Sequence, residues 1–223
     1  MIPRELVGIA EVPGGPSLSL YRRGADYMIC LERNELMSSR MSGSEIALAT
    51  MTLERLGKPA APRILVGGYG MGFTLRALLA ETSPSAEIVV AELVPGIIDW
   101  ARGPMATLAA GCIDDPRVEL RLADVGREIA EPGPGYDAIL LDVDNGPDGL
   151  TRPANDGLYS AHGLALAKTA LRSGGILAIW SAAPDPQFSK RLGVAGFTVD
   201  EVRVRARSNG KGPKHIIWFA SPR

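Results

Sequence analysis

Three acidic residues stand where apolar runs end: Glu92 after "EIVVA", Asp124 after "RVELRLA" and Asp142 after "YDAILL". Such runs read as buried strands of a parallel sheet, and carboxylates at their carboxyl ends face one cleft. A fourth run, "RILV", opens into "GGYGMG", residues 67–72. In that loop Gly68, Gly70 and Gly72 let the backbone turn tightly and let a ligand approach it without Cβ interference. Glu92 follows Gly72 by 20 residues, the spacing at which an acidic side chain holds a ribose diol. The loop departs from GxGxxG, because its third glycine comes one residue early. Three converging carboxylates suit a cationic nucleoside, such as one bearing a sulfonium, better than a pyrophosphate. Each acid also has a plainer reading. Glu92 can cap the helix that begins near Pro95, and Asp124 can cap the turn before "GREIA". The strand before Asp142 is too apolar to tolerate an idle carboxylate.

The elements that must position these residues alternate from residue 63 onward. The strands "RILVGG", "EIVVAEL", "RVELRLAD", "YDAILLDVD" and "ILAIWS" are separated by helical patterns. The latter are Gly72 to about Glu81, "PGIIDWARGPMATLA", and "SAHGLALAKTALRSGG" with a glycine stop. A short helix "PQFSKRLGVAG" follows the fifth strand. The last strands, "FTVDEVRVRA" and "KHIIWFASP", have no helix between them and form an antiparallel edge hairpin. The expected fold is therefore α/β, with a mostly parallel, doubly wound sheet of seven strands. Upstream, "ELVGIAEV", "SLSLYRR" and "YMICLE" read as a small β meander broken by turn signals. "SGSEIALATMTLERLG" then changes to helical period, with Ile46, Ala49, Thr50, Leu53 and Leu56 on one face, Ser44 as cap and Gly57 as stop. "KPAAP" places a boundary near residue 60, giving a meander plus helix over 1–60 and a nucleoside-binding domain over 61–223.

The 223 residues are 46% hydrophobic and 22% charged, with a formal charge of −1. That balance leaves no electrostatic footprint for nucleic acid or an anionic membrane. Cys30 and Cys112 make no disulfide framework and have no metal-ligand spacing. The N-terminus lacks a signal-like apolar core and no stretch is long enough to span a bilayer, so a cytoplasmic protein without membrane attachment is expected.

The constellation resembles the class I fold of S-adenosylmethionine-dependent transferases and, more narrowly, the spermidine synthase family. "GGYGMGFTLRALL" is similar to that family's glycine loop, "VVAELVPGIIDWAR" to its ribose-binding strand and following helix, and "DPRVELRLADVGREI" to its third strand. "YDAILLDVDNGP" resembles its catalytic strand end, and "GLYSAHGLALAKTALRSGGILAI" the next helix and strand. The resemblance implies that Gly68, Gly70, Met71, Gly72, Glu92 and Asp124 line the donor, with Glu92 on the ribose and Asp124 on the adenine amino group. It implies that Asp142 sits at the reacting centre and that the meander mediates a homodimer; Asp144 is the candidate beside Asp142, and Asn145 and Tyr159 are the candidate acceptor contacts. The donor would be S-adenosylmethionine or its decarboxylated form, the acceptor a small-molecule amine, and no metal would be needed.

Three positions depart from the family pattern. Met71 falls where the aminopropyl-transferring enzymes carry an aspartate for the donor's ammonium. Leu48-Ala49-Thr50 replaces an acceptor-binding Tyr-His-Glu run. Asn145 replaces a second aspartate, with Asp144 as a substitute. Either ordinary S-adenosylmethionine is then no longer repelled, which favours methyl transfer, or the tail ammonium finds Glu45 or Asp144 and aminopropyl transfer persists. The alternatives are a methyltransferase acting on another small molecule or RNA, and a silent nucleoside-binding protein.

Other features carry less. The acidic stretch with Asp142, Asp144, Asp148 and Asp156 reads as a gate over the acceptor or as a solvated loop. Tyr159 and Trp180 read as pocket walls or as core, His162 as a helix-surface residue, and His215 as structural. Arg203, Arg205 and Arg207 fall on one strand face, either to contact an anion or to protect a solvated edge.

Overall fold

A computed structural model describes residues 3–143 and 156–223. The N-terminal segment forms four antiparallel strands in sequence order, β1 Glu5–Ala10, β2 Leu18–Arg23, β3 Asp26–Leu31 and β4 Asn34–Ser38. The sequence reading expected three. The turn joining β3 and β4 contains no glycine, and Glu32 itself takes the left-handed conformation at φ 52°, so no turn signature announced the fourth strand.

The second sheet follows from β5 Arg63–Gly67, α2 Phe73–Glu81, β6 Glu87–Glu92, α3 Pro95–Arg102, α4 Ala106–Ala109 and β7 Val118–Leu122. It continues through α5 Val125–Ala130, β8 Tyr136–Leu141, α6 Asp156–Tyr159, α7 Ala161–Ala170, β9 Leu171–Ser181, α8 Pro186–Val194, β10 Phe197–Arg205 and β11 Lys214–Pro222. Strand order is β10-β11-β9-β8-β5-β6-β7, with β11 antiparallel to both neighbours and the β9-β8-β5-β6-β7 pairings parallel. This is the expected seven-stranded α/β sheet with a separate antiparallel β meander. β10, not β11, forms the edge, and its exposed Arg203 and Arg205 sit on it. Arg207 lies past the strand's end and is half-buried.

The reversal of direction between β5→β6 and β5→β8 puts the switch point beside the glycine loop, where open α/β sheets bind ligands. One core, including Ile64, Val66, Leu75, Leu140 and Trp180, lies on the sheet face covered by helices 43–55 and 73–81. The other, including Leu65, Ile139, Leu164, Phe188 and Trp218, fills the opposite face.

Three expectations about helices are corrected. The run 95–109 is not one helix, because Gly103 and Pro104 interrupt it and proline cannot donate to the ladder. α7 ends at Ala170 rather than at the glycine pair. β9 begins at Leu171, opposite Tyr136, and its register shifts before Ala138 meets Ile176. The helix α1, Gly43–Arg55, has the expected length, but its buried residues are Ser44, Glu45, Leu48, Ala49, Thr52 and Leu53. Ile46, expected inside, is 36% exposed. Ser42 rather than Ser44 holds the N-cap position. The helix is turned so that two polar residues of its first turn face inward, and the reason lies in the site.

Candidate active site

Gly68 leaves β5 at φ +85°, and a Cβ there would lie 3.0 Å from the Asp142 carbonyl oxygen. Only glycine allows the two strand ends to meet so closely. Gly72 precedes α2 at φ +75°, where a Cβ would strike the Tyr69 hydroxyl at 2.7 Å. The loop between them is tied to the next strand by Glu92, whose Oε2 accepts from the Tyr69 N–H at 2.8 Å and whose Oε1 accepts from the Val94 N–H at 2.8 Å. The second contact holds the N–H of Val94, which precedes α3, but α3 has no side-chain cap hydrogen bond, so Glu92 ties the strand end to the loop rather than capping the helix. Burial pushes this carboxyl upward, opposed by hydrogen bonds from Val94, Tyr69, Gly70 and Leu93. Asp124 does cap α5, accepting from the Gly126 N–H at 2.8 Å, while lining the same space.

That space is a cleft between the N-terminal sheet and the carboxyl ends of β5, β6, β7 and β8. Gly68, Gly70, Glu92, Asp124 and Asp142 line it, with apolar walls that include Leu36, Met37, Val94 and Val125. The structure therefore brings the three strand-end acids and two of the loop glycines to one place. Met71 is not among the lining residues. It is 1% exposed and packs in the core on the helix 43–55 face. Tyr159 does not line the cleft either: it is buried on the opposite sheet face, edge-on to Phe188 with centroids 5.6 Å apart. Asp144, Asn145 and Asp148 lie outside the described residues, as does the Asp156 side chain. His162 is exposed.

Asp142 looks two ways. Toward the cleft it is a lining residue; behind, its Oδ2 accepts from Thr74 Oγ1 at 2.9 Å. Parity along β8, β9 and β11 puts Asp142, Trp180 and His215 on the face covered by α1. There Glu45, 5% exposed, is within the electrostatic field of Asp142. Ser44 Oγ lies 2.6 Å from Glu45 Oε2 and 2.8 Å from His215 Nδ1. His215 in turn meets Trp180 edge-on, with centroids 4.8 Å apart. The Trp180 Nε1 is buried without a hydrogen-bond acceptor. Burial and the neighbouring Asp142 charge push the Glu45 carboxyl up to about 8, against the Ser44 hydrogen bond. Burial raises Asp142 to about 6, opposed by Thr74. It also lowers His215, which favours the neutral ring.

This cluster explains the rotation of α1, since Ser44 and Glu45 must face the sheet to meet His215 and Asp142. Sequence reasoning assigned Thr74 and Ser44 no chemical role and left His215 as structural. The available signal was a Ser-Glu pair opening an otherwise apolar helix.

The family model for the spermine/spermidine synthase domain matches residues 47–190. The chain belongs to the spermine/spermidine synthase family. A polyamine aminopropyltransferase of Mycobacterium tuberculosis is 37% identical over 128 residues, covering 56% of this chain and 23% of that protein. Polyamine aminopropyltransferase 2 of Pseudomonas aeruginosa is 34% identical over 121 residues, covering 52% and 32%. The chain thus spans only about a quarter to a third of the length of these family members. Spermidine synthase of Thermotoga maritima superposes with a TM-score of 0.75 at 17% identity, over 97% of this chain and 72% of that one. A spermidine synthase in complex with the transition state analogue AdoDATO gives 0.74 at 16%. Those two likenesses establish the fold. The readings as a methyltransferase or a silent binder find no support among the named family members. Among the described residues, no helix is long and apolar enough to cross a membrane.

Proposed function

We propose that this chain carries the donor site and reaction site of a polyamine aminopropyltransferase. In this reading it moves an aminopropyl group from decarboxylated S-adenosylmethionine to an amine of a small molecule. The carrying observation is the convergence of Glu92, Asp124 and Asp142 on one apolar-walled cleft floored by Gly68 and Gly70. The fit is chemical: backbone without side chains at the loop, a buried carboxylate for hydroxyl donors, and apolar walls for a nucleoside face.

The donor supplies a carbon activated by an adjacent sulfonium. What remains for the protein is to orient an amine and take its proton. Asp142, held by Thr74, is the carboxylate in place to do both. Met71 lies in the core and offers no charge; of the two replacements weighed for the donor's tail ammonium, Glu45 stands behind Asp142 and Asp144 lies outside the described residues.

Calorimetric titration with decarboxylated and intact S-adenosylmethionine tests the reading, followed by turnover with diamines. Tighter binding of the decarboxylated form and product from a diamine support aminopropyl transfer. Tighter binding of the intact form, with no diamine product, would redirect the search to methyl acceptors.

A further inference from the structure

The group behind Asp142 has its own organisation. Glu45 is faced by Ser44 from α1 itself, by Thr74 from α2, by Asp142 from the end of β8 and, through Ser44, by His215 from β11. Asp142 is the charged neighbour that bears on it. Ser44 carries one hydroxyl proton and contacts both Glu45 and His215, and with the acid proton on the Glu45 oxygen that faces Ser44 this gives two relayed states. With Glu45 protonated, its O–H donates to Ser44 Oγ and the Ser44 O–H donates to a bare His215 Nδ1, leaving the ring proton on Nε2. With Glu45 ionised, the Ser44 O–H donates to the carboxylate and Oγ accepts from His215 Nδ1–H. Glu45–H together with Nδ1–H would require the acid proton to sit on Oε1, turned away from Ser44, so that Oε2 still accepts the Ser44 O–H; in that arrangement the tautomer ignores Glu45, and a tautomer constant with pH reveals it.

We propose that Glu45, Ser44 and His215 form a one-proton relay behind Asp142, in which the protonation of Glu45 sets the Ser44 hydroxyl direction and the His215 tautomer. While Glu45 holds its proton, Asp142 is the ionised member of this pair, and it is the one that lines the cleft. These are positioning residues: they act on the acceptor through Asp142. When Glu45 loses its proton to solvent, the ring proton of His215 passes from Nε2 to Nδ1, also by way of solvent, and the ring stays neutral throughout. The second negative charge then stabilises an ammonium in the cleft and opposes its deprotonation, so transfer slows. The catalytic consequence rests on the function proposed above; the relay itself does not.

The experiment is long-range proton–nitrogen NMR of the imidazole rings on the full chain between pH 5 and 10. The protein has two histidines, and His162 is exposed on α7, so the two signals are separable. The expected result is a neutral His215 whose Nδ1 shift moves from the acceptor to the protonated type in one step. That step is absent in Glu45→Gln and abolished or displaced in Ser44→Ala, which removes the hydroxyl without touching either titrating group. A His215 tautomer that is constant with pH, or an unchanged step in both variants, would overturn the relay. The pH profile of kcat with a diamine gives a second readout: the wild type should decline on the alkaline side by about tenfold across the Glu45 titration, and Glu45→Gln should not. If no amine is turned over, the activity reading fails while the NMR step still decides the relay.

Discussion

Two buried glutamates flank Asp142 and are held in opposite ways. Glu92, 4% exposed, is surrounded by backbone amides from the glycine loop after β5 and from the turn that follows Glu92 itself. Glu45, 5% exposed, has one serine hydroxyl, its own backbone N–H and a neighbouring carboxylate. Burial costs both of them, but the counterweights differ. Amides fixed by a glycine loop cannot turn away and cannot titrate. A hydroxyl can reverse, and a second carboxylate works against ionisation. The first arrangement makes a fixed anchor for a ligand; the second makes a group that takes up or releases a proton in response to its neighbour.

Asp142 stands between them, and changing it should have the largest effect. Asp142→Asn removes the proton acceptor but preserves shape and can still take the Thr74 hydrogen bond. Turnover should fall by about 10²–10⁴-fold, with donor affinity by calorimetry nearly unchanged. Equal loss of both would make Asp142 a donor-binding residue instead.

On the anchor side, Glu92→Gln leaves one amide oxygen to accept and turns an NH₂ toward a backbone N–H. Donor affinity should drop by roughly 10–100-fold, in line with about 1.5–3 kcal/mol for a hydrogen bond to a charged group. An unchanged dissociation constant would mean Glu92 serves only the loop. Gly68→Ala tests that loop directly. A side chain at φ +85°, 3.0 Å from the Asp142 carbonyl, should cost about 1–2 kcal/mol and lower Tm by about 2–8 °C. A variant as stable as the native chain would show that the loop has slack.

The same contrast governs what could be read from the sequence. Glu92 announced itself because its partners are local: a strand, a glycine loop and a fixed spacing are visible in one stretch of chain. The sheet order followed from alternating apolar runs for the same reason. The relay did not, because Ser44 and His215 are 171 residues apart and meet only once β11 lies beside β9. Helical periodicity then misled, since Ile46 and Thr50 fit an apolar face better than Ser44 and Glu45 do. The face actually buried is set by tertiary polar contacts, which periodicity does not weigh. Met71 shows a related limit. Alignment placed it where a donor contact belongs, while its own apolar side chain took it into the core.

The smallest expected effect is on stability, and it tests Glu45 as a titrating group. The Glu45 carboxyl is raised from an ordinary 4.5 in the unfolded chain to about 8 when folded. A raised acid binds its proton more tightly in the native state, so its contribution is fully present below the ordinary carboxyl range and is lost as pH rises through about 8. Glu45→Gln cannot ionise and loses nothing over that window. The difference in Tm between Glu45→Gln and the wild type should therefore move in the variant's favour as pH is raised from 5 to 9, whatever its offset at pH 5. Salt should change this little, since the pair is buried. A difference independent of pH would mean that Glu45 is ionised throughout, and its reading as a proton-exchanging group would fail.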